Sequence, residues 1–211
     1  MPLNKLSHIR PKPDQRLILT GASGTGKTTL GRELLKPFPE IIVIDSKCTY
    51  GGKGGEPGYR LVKSPAALKG LGQNVKLIQY RPDVKHQTTA DYDAVYEWCY
   101  RRGGPLMIYT DEAFLVHHGS YAPDWLRACV TCGRELGIGM ITGTQRPRGI
   151  DLRLMTEAEN FVTFELRHRD DRKRMAEMMG DEVMERPPAH AFWVWRAGDR
   201  EPALCRLKLG E

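Results

Sequence analysis

The chain has 211 residues, 40% hydrophobic and 27% charged, with a net charge of +6. That length suits one α/β domain with a sizeable core, and no apolar run approaches the length needed to cross a bilayer. The opening Met-Pro-Leu-Asn-Lys-Leu has no signal-peptide core. Five cysteines, odd in number and scattered (Cys48, Cys99, Cys129, Cys132 and Cys205), point to a reducing compartment and away from a disulfide framework.

The basic excess is local. Residues 1–60 hold ten Lys/Arg against five Asp/Glu, residues 61–145 nine against eight, and residues 146–211 thirteen against thirteen. A polyanionic partner is consistent with this bias.

In chain order, residues 1–15 are polar and proline-containing and read as an extended arm before a single domain over 16–211. A strand is expected at 16–20 and a helix at 27–36, stopped by Pro37-Phe38-Pro39. Ile41-Ile42-Val43-Ile44, closed by Asp45, has the continuous apolar character of a parallel strand buried on both faces. Residues 51–58 hold five glycines and read as a flexible loop. A short strand over 59–63 follows, then a helix from Pro65 capped by Ser64.

Further strands are expected at 75–80, 106–109 and 138–142. They are interleaved with helices at 89–102, where Tyr92, Val95, Tyr96 and Cys99 share a face, and at 123–136. The last third reads as a short helix at 151–158, a strand at 161–166 and a helix at 170–179. A hairpin formed by strands 191–196 and 203–209 closes the sheet edge. The alternation predicts an α/β fold of the P-loop NTPase type, a mostly parallel sheet flanked by helices.

Three apolar residues (17–19) run into Gly21-Ala22-Ser23-Gly24-Thr25-Gly26-Lys27-Thr28, which fits G-x-x-x-x-G-K-[ST] at every fixed position. Gly21, Gly24 and Gly26 free the backbone so that its N–H groups turn inward onto phosphate oxygens, and the helix starting at Lys27 adds its positive dipole end. Ser23, Thr25 and Thr29 complete the nucleotide-binding set. Lys27 is expected on the β- and γ-phosphates and the Thr28 hydroxyl on Mg²⁺, which makes ATP and Mg²⁺ the expected ligands.

The strand at 106–109 leads into Asp111 and Glu112. Asp111 is placed to hold the Mg²⁺, and Glu112 to polarise the water that attacks the γ-phosphate. That second carboxylate favours hydrolysis over phosphoryl transfer to an acceptor. Gln145, after the strand at 138–142, is expected to face the γ-phosphate if that strand lies beside the nucleotide-binding one.

Gly133-Arg134-Glu135-Leu136-Gly137-Ile138-Gly139-Met140-Ile141-Thr142-Gly143-Thr144-Gln145-Arg146-Pro147 resembles the matching segment of the FtsK/HerA superfamily of DNA-pumping ATPases. With Gly21–Thr28 and Asp111-Glu112 in the same order, the resemblance covers roughly residues 16–150. It implies that Gln145 is the polar sensor and that Arg134 is the arginine inserted into a neighbouring subunit's ATP site. It also implies a homo-oligomeric, hexameric ring around double-stranded DNA.

A core without added domains is most similar to the genome-packaging ATPases of double-stranded DNA viruses with an internal membrane. That likeness implies capsid or membrane-protein vertex partners, and a place in the host cytoplasm or the virion. Candidate DNA contacts are Lys53, Arg60, Arg81, Lys85 and Arg148. Two other readings are a small-molecule or nucleotide kinase, which needs an acceptor pocket and an arginine-bearing lid, and a slow nucleotide-dependent assembly switch. Cys129-Val-Thr-Cys132 lacks the second pair a zinc site needs and reads as two packing residues on one helix face. His117 and His118 read as a loop surface.

Overall fold

A computed structural model describes residues 6–117, 119 and 121–206. Among the described residues, nine strands form one sheet: β1 (Arg16–Thr20), β2 (Ile41–Ile44), β3 (Arg60–Val62), β4 (Leu77–Tyr80), β5 (Leu106–Thr110), β6 (Ile138–Thr144), β7 (Asn160–Thr163), β8 (Ala191–Arg196) and β9 (Ala203–Arg206). Their spatial order is β3-β4-β2-β5-β6-β1-β7-β8-β9. The first seven strands pair in parallel, while β8 and β9 add antiparallel and make the expected edge hairpin. The expected strand over 203–209 is seen for Ala203–Arg206, and residues 207–209 lie outside the described residues.

Helices α1 (Lys27–Leu35), α2 (Pro65–Lys69), α3 (Thr89–Arg102), α4 (Ala113–Val116), α5 (Asp124–Cys132), α6 (Leu152–Thr156) and α7 (Arg169–Met179) flank the sheet. Alternation within the buried strands divides the core. Leu17 and Leu19 of β1 join Leu30 and Leu34 of α1 on one face. Ile18 joins Tyr96 of α3, Leu126 of α5 and Met175 of α7 on the other. Period-two strands thus feed two helical layers at once.

Several expectations need correction. The described part of the arm does not extend freely: Leu6–His8 form a 3-10 turn and Ile9 is buried. The Arg10 guanidinium donates to the carbonyls of Glu33 and Leu34, each at 3.2 Å. It thereby satisfies carbonyls that the last turn of α1 leaves without helical partners.

The helix expected over 123–136 ends at Cys132 and tightens into a 3-10 turn over Gly133–Leu136. On α5, Cys129 is buried but Cys132 is exposed, so only the first is a packing residue. His117 is buried rather than on a loop surface, and its Nε2 accepts from the Asp151 N–H at 3.3 Å. His118 lies outside the described residues.

The glycine-rich loop is tied down. Arg81 donates to the Gly52 and Lys53 carbonyls, and the Glu56 N–H donates to Gln79 Oε1 at 2.7 Å. Glycine count reported how the chain turns, whereas buried polar partners on β4 and just after it decide how firmly it is held.

Candidate active site

Register brings the site together. Thr20 pairs with Thr144, Thr110 with Thr142, and Ile44 with Thr110, so β1, β6, β5 and β2 all end on one rim of the sheet. Ligands of open parallel sheets bind beyond the carboxyl ends of the strands. The phosphate loop, Asp111-Glu112, Gln145 and the segment after β2 all leave from that rim.

The loop from Gly21 to Gly26 carries the φ values its sequence demands. Gly26 stands at the N-cap of α1 with φ 108°, a conformation that a side chain resists. Lys27 is buried, and its ammonium folds back onto the Gly21 and Ala22 carbonyls at 2.6 and 3.0 Å. Burial, reinforced by the nearby Lys47 charge, lowers its pKa to about 8.

Thr28 Oγ1 donates to Asp111 Oδ1 at 3.0 Å. Tyr109 donates to the same oxygen, also at 3.0 Å. Burial and Asp111 push the Tyr109 hydroxyl well above its ordinary pKa, so it stays a donor. A hydroxyl beside a carboxylate offers oxygen atoms only, the donor set Mg²⁺ takes with water and phosphate oxygens completing its shell. Thr28 and Asp111 therefore fit that ion. Among the described residues, no cluster of three or more His, Cys, Asp or Glu offers a metal site of its own.

Glu112 is buried and held from several sides. Its Oε1 accepts from Thr144 Oγ1 at 2.8 Å and from the Gln145 N–H at 2.9 Å, and the Lys47 ammonium lies 2.9 Å from Oε2. Ser46 Oγ donates to the Glu112 carbonyl at 3.1 Å. A Cβ on Gly143 would sit 2.6 Å from the Asp111 carbonyl oxygen, so this position needs glycine for β6 to approach the two carboxylates. Gln145 also lines a cavity of about 200 Å³ with Ala22 and Ser23 of the phosphate loop and with Arg146, whose guanidinium pairs with buried Asp171.

No family model and no curated protein sequence matches the chain. Solved structures do. The genome packaging NTPase B204 from Sulfolobus turreted icosahedral virus 2, in complex with AMPPCP, aligns at a TM-score of 0.75 with 15% identity, covering 94% of this chain and 100% of that one. The N-terminal domain of zonular occludens toxin from Neisseria meningitidis aligns at 0.53 with 16% identity, covering 93% and 95%. The pCW3 conjugation coupling protein TcpA aligns at 0.54 with 13% identity, covering 90% and 59%. The fold is that of the P-loop NTPases.

Within this P-loop NTPase fold, Arg134 lies at the opposite rim from the phosphate loop, ahead of the first residue of β6. Seven strand residues, roughly 20 Å, separate that end of β6 from Gln145. The Arg134 side chain is half exposed and forms a close ion pair with Glu159, whose other oxygen accepts from the Arg16 N–H at 2.7 Å.

Lys53, Arg60 and Lys85 are exposed, and Arg148 is exposed while paired with Asp170. Arg81 is a correction: it is buried, 2.7 Å from Asp45 Oδ2, and donates to the carbonyls of Tyr50, Gly52 and Lys53. Four of its five N–H donors are spent inside the chain and its charge is paired with Asp45, which makes it a structural residue rather than a surface contact for a phosphate backbone.

Residue patterns alone missed Lys47, Thr144, Tyr109 and a cavity of about 350 Å³ beside the loop, lined in part by Thr29, Phe164, His190 and Phe192. Lys47 had one legible signal: it follows Asp45 at a strand end on the same rim. The others depend on neighbours that only the sheet order supplies.

Proposed function

We propose that the protein is an ATPase that drives double-stranded DNA through a homo-oligomeric ring, packaging a viral genome into a preformed capsid. The observation that carries this reading is the convergence of Thr28 with Asp111, and of Glu112 with Thr144 and Gln145, at the phosphate loop. The fold likeness to a viral genome packaging NTPase and to a conjugation coupling protein supports the DNA-handling part.

In this reading the Gly21–Gly26 loop and the start of α1 seat the phosphates, and Lys27 exchanges its two carbonyls for phosphate oxygens. The cavity at Phe164, His190 and Phe192 takes the base. Thr28 and Asp111 hold Mg²⁺, which when bound neutralises charge on the phosphate oxygens. Glu112 polarises the attacking water, kept in orientation by Thr144 and the Gln145 N–H. The Gln145 amide senses the γ-phosphate, and Arg146 with Asp171 links that loop to α7.

Arg134 is too far from its own phosphate loop to serve it, which suits a role in a neighbour's site. In the ring, Lys53, Arg60, Lys85 and Arg148 contact DNA phosphates without reading sequence. No described helix is long and apolar enough to cross a membrane, and in this reading capsid or membrane-protein vertex components are the ring's partners.

The test is ATP hydrolysis by the purified chain with and without double-stranded DNA, alongside a mass measurement. DNA-stimulated turnover and a ring-sized assembly are the expected result. Turnover only with a phosphate acceptor, or nucleotide binding without turnover, would overturn it.

A further inference from the structure

Lys47 belongs to no phosphate-binding motif, yet it reaches the centre of the site. The backbone on either side of it is fixed. Ser46 bonds the Glu112 carbonyl, and the Asp45 carboxylate accepts from the N–H groups of Thr49 and Tyr50 at 3.0 and 3.2 Å. The segment therefore aims the Lys47 stem at Glu112, where its ammonium sits 2.9 Å from Oε2 with the side chain 28% exposed.

Three donors crowd the Glu112 carboxylate: the Thr144 hydroxyl, the Gln145 N–H and Lys47. Two of them belong to β6 and the residue that follows it, and they move only with the sheet. Lys47 is the one on a flexible four-carbon stem. Its charge is also felt at Lys27, the phosphate-loop lysine, where repulsion between the two ammonium groups helps lower the Lys27 pKa. A dianionic oxygen cluster placed between them removes that repulsion and competes with Glu112 for Lys47.

We infer that Lys47 is a second ammonium of the terminal-phosphate subsite, which Glu112 holds until a nucleoside triphosphate draws it away. This rests on the ATPase reading and adds a control to it. A diphosphate does not reach Lys47, so Glu112 stays paired. A triphosphate captures Lys47 and leaves Glu112 with a lone pair for water. Lys47 is thereby a specificity-determining residue for triphosphate over diphosphate, and a positioning residue for Glu112.

The experiment measures binding rather than turnover. Affinities for ADP and for a non-hydrolysable ATP analogue, both with Mg²⁺, are compared across wild type, Lys47→Ala, Lys47→Gln and Lys47→Arg. Loss of one charge-assisted contact is expected to weaken the analogue roughly tenfold in Lys47→Ala and Lys47→Gln. ADP affinity should stay within about twofold by the same reasoning, and Lys47→Arg should keep most of the preference.

Glu112→Gln should tighten analogue binding when Lys47 is present and leave it unchanged when Lys47 is Ala. An unchanged analogue-to-ADP ratio in Lys47→Ala overturns the inference while leaving the ATPase reading intact. Equal weakening of both ligands also overturns it, because that is what a merely structural lysine would give. Wild type that binds neither ligand overturns the ATPase reading as well.

Discussion

Thr28 and Asp111 stand 83 residues apart in the chain, and their side-chain oxygens meet at 3.0 Å. That contact joins the first turn of α1 to the end of β5 before any ligand enters. A preformed hydroxyl–carboxylate pair predicts Mg²⁺-dependent affinity. In Asp111→Asn, the gain in ATP affinity on adding Mg²⁺ should largely vanish, while metal-free ATP binding persists. Titrations with Mg²⁺ and with a chelator check this.

Glu112→Gln keeps the shape of the buried side chain but removes its basicity. Hydrolysis should fall by about 10²–10⁴-fold, the usual contribution of a positioned base, with ATP still bound. Single-turnover hydrolysis measured beside nucleotide binding separates the two effects. A variant that turns over at the wild-type rate would remove Glu112 from the mechanism.

Lys27 carries a lowered pKa of about 8 because it is buried and shares the site with Lys47. Its sign is definite. Below that value the ammonium is already charged and awaits an anion. Above it, phosphate binding must first take up a proton, so affinity declines as pH rises through 8, by up to about tenfold per unit. Calorimetry at pH 8 in two buffers of different ionisation enthalpy should reveal net proton uptake, and Lys27→Arg should show none.

Arg134 sits on the far rim and pairs with Glu159 of its own chain. If it serves a neighbour, Arg134→Ala should bind ATP normally and lose DNA-stimulated turnover by about 10³–10⁵-fold. Mixing it with Lys27→Ala chains should restore part of the activity, because the second chain brings the arginine and the first the intact loop. Absence of recovery in mixed assemblies, given recovery of other complementing pairs, would argue against action in trans.

Arg81 and Lys53 should separate cleanly. Arg81→Met leaves the Asp45 carboxylate, which is fully buried, without its ion-pair partner and should cost about 3 kcal/mol of stability in denaturant unfolding. Lys53→Ala and Lys85→Ala should leave stability alone, weaken DNA binding and reduce the salt slope by about one each.

Much of this was written in the sequence because it was local. A strand ending in Gly21–Thr28 needs glycines where φ is positive and a lysine at the helix start, and those residues are adjacent in the chain. The apolar runs at 41–44 and 106–109 announced strands buried on both faces, and nothing in the structure moved them. The resemblance carried by residues 133–147 likewise survives as a likeness of fold.

What sequence could not decide was which rim each residue occupies and what faces it there. Lys53, Arg81 and Lys85 are equally basic, yet only Arg81 follows a strand whose neighbour ends in a buried carboxylate, Asp45. Lys47 and Glu112 are separated by two α-helices and three strands in the chain, and they meet only because β2 pairs with β5. Local chemistry is set by adjacent residues, but electrostatic partners inside a sheet protein are set by strand order, and that order belongs to the tertiary structure alone.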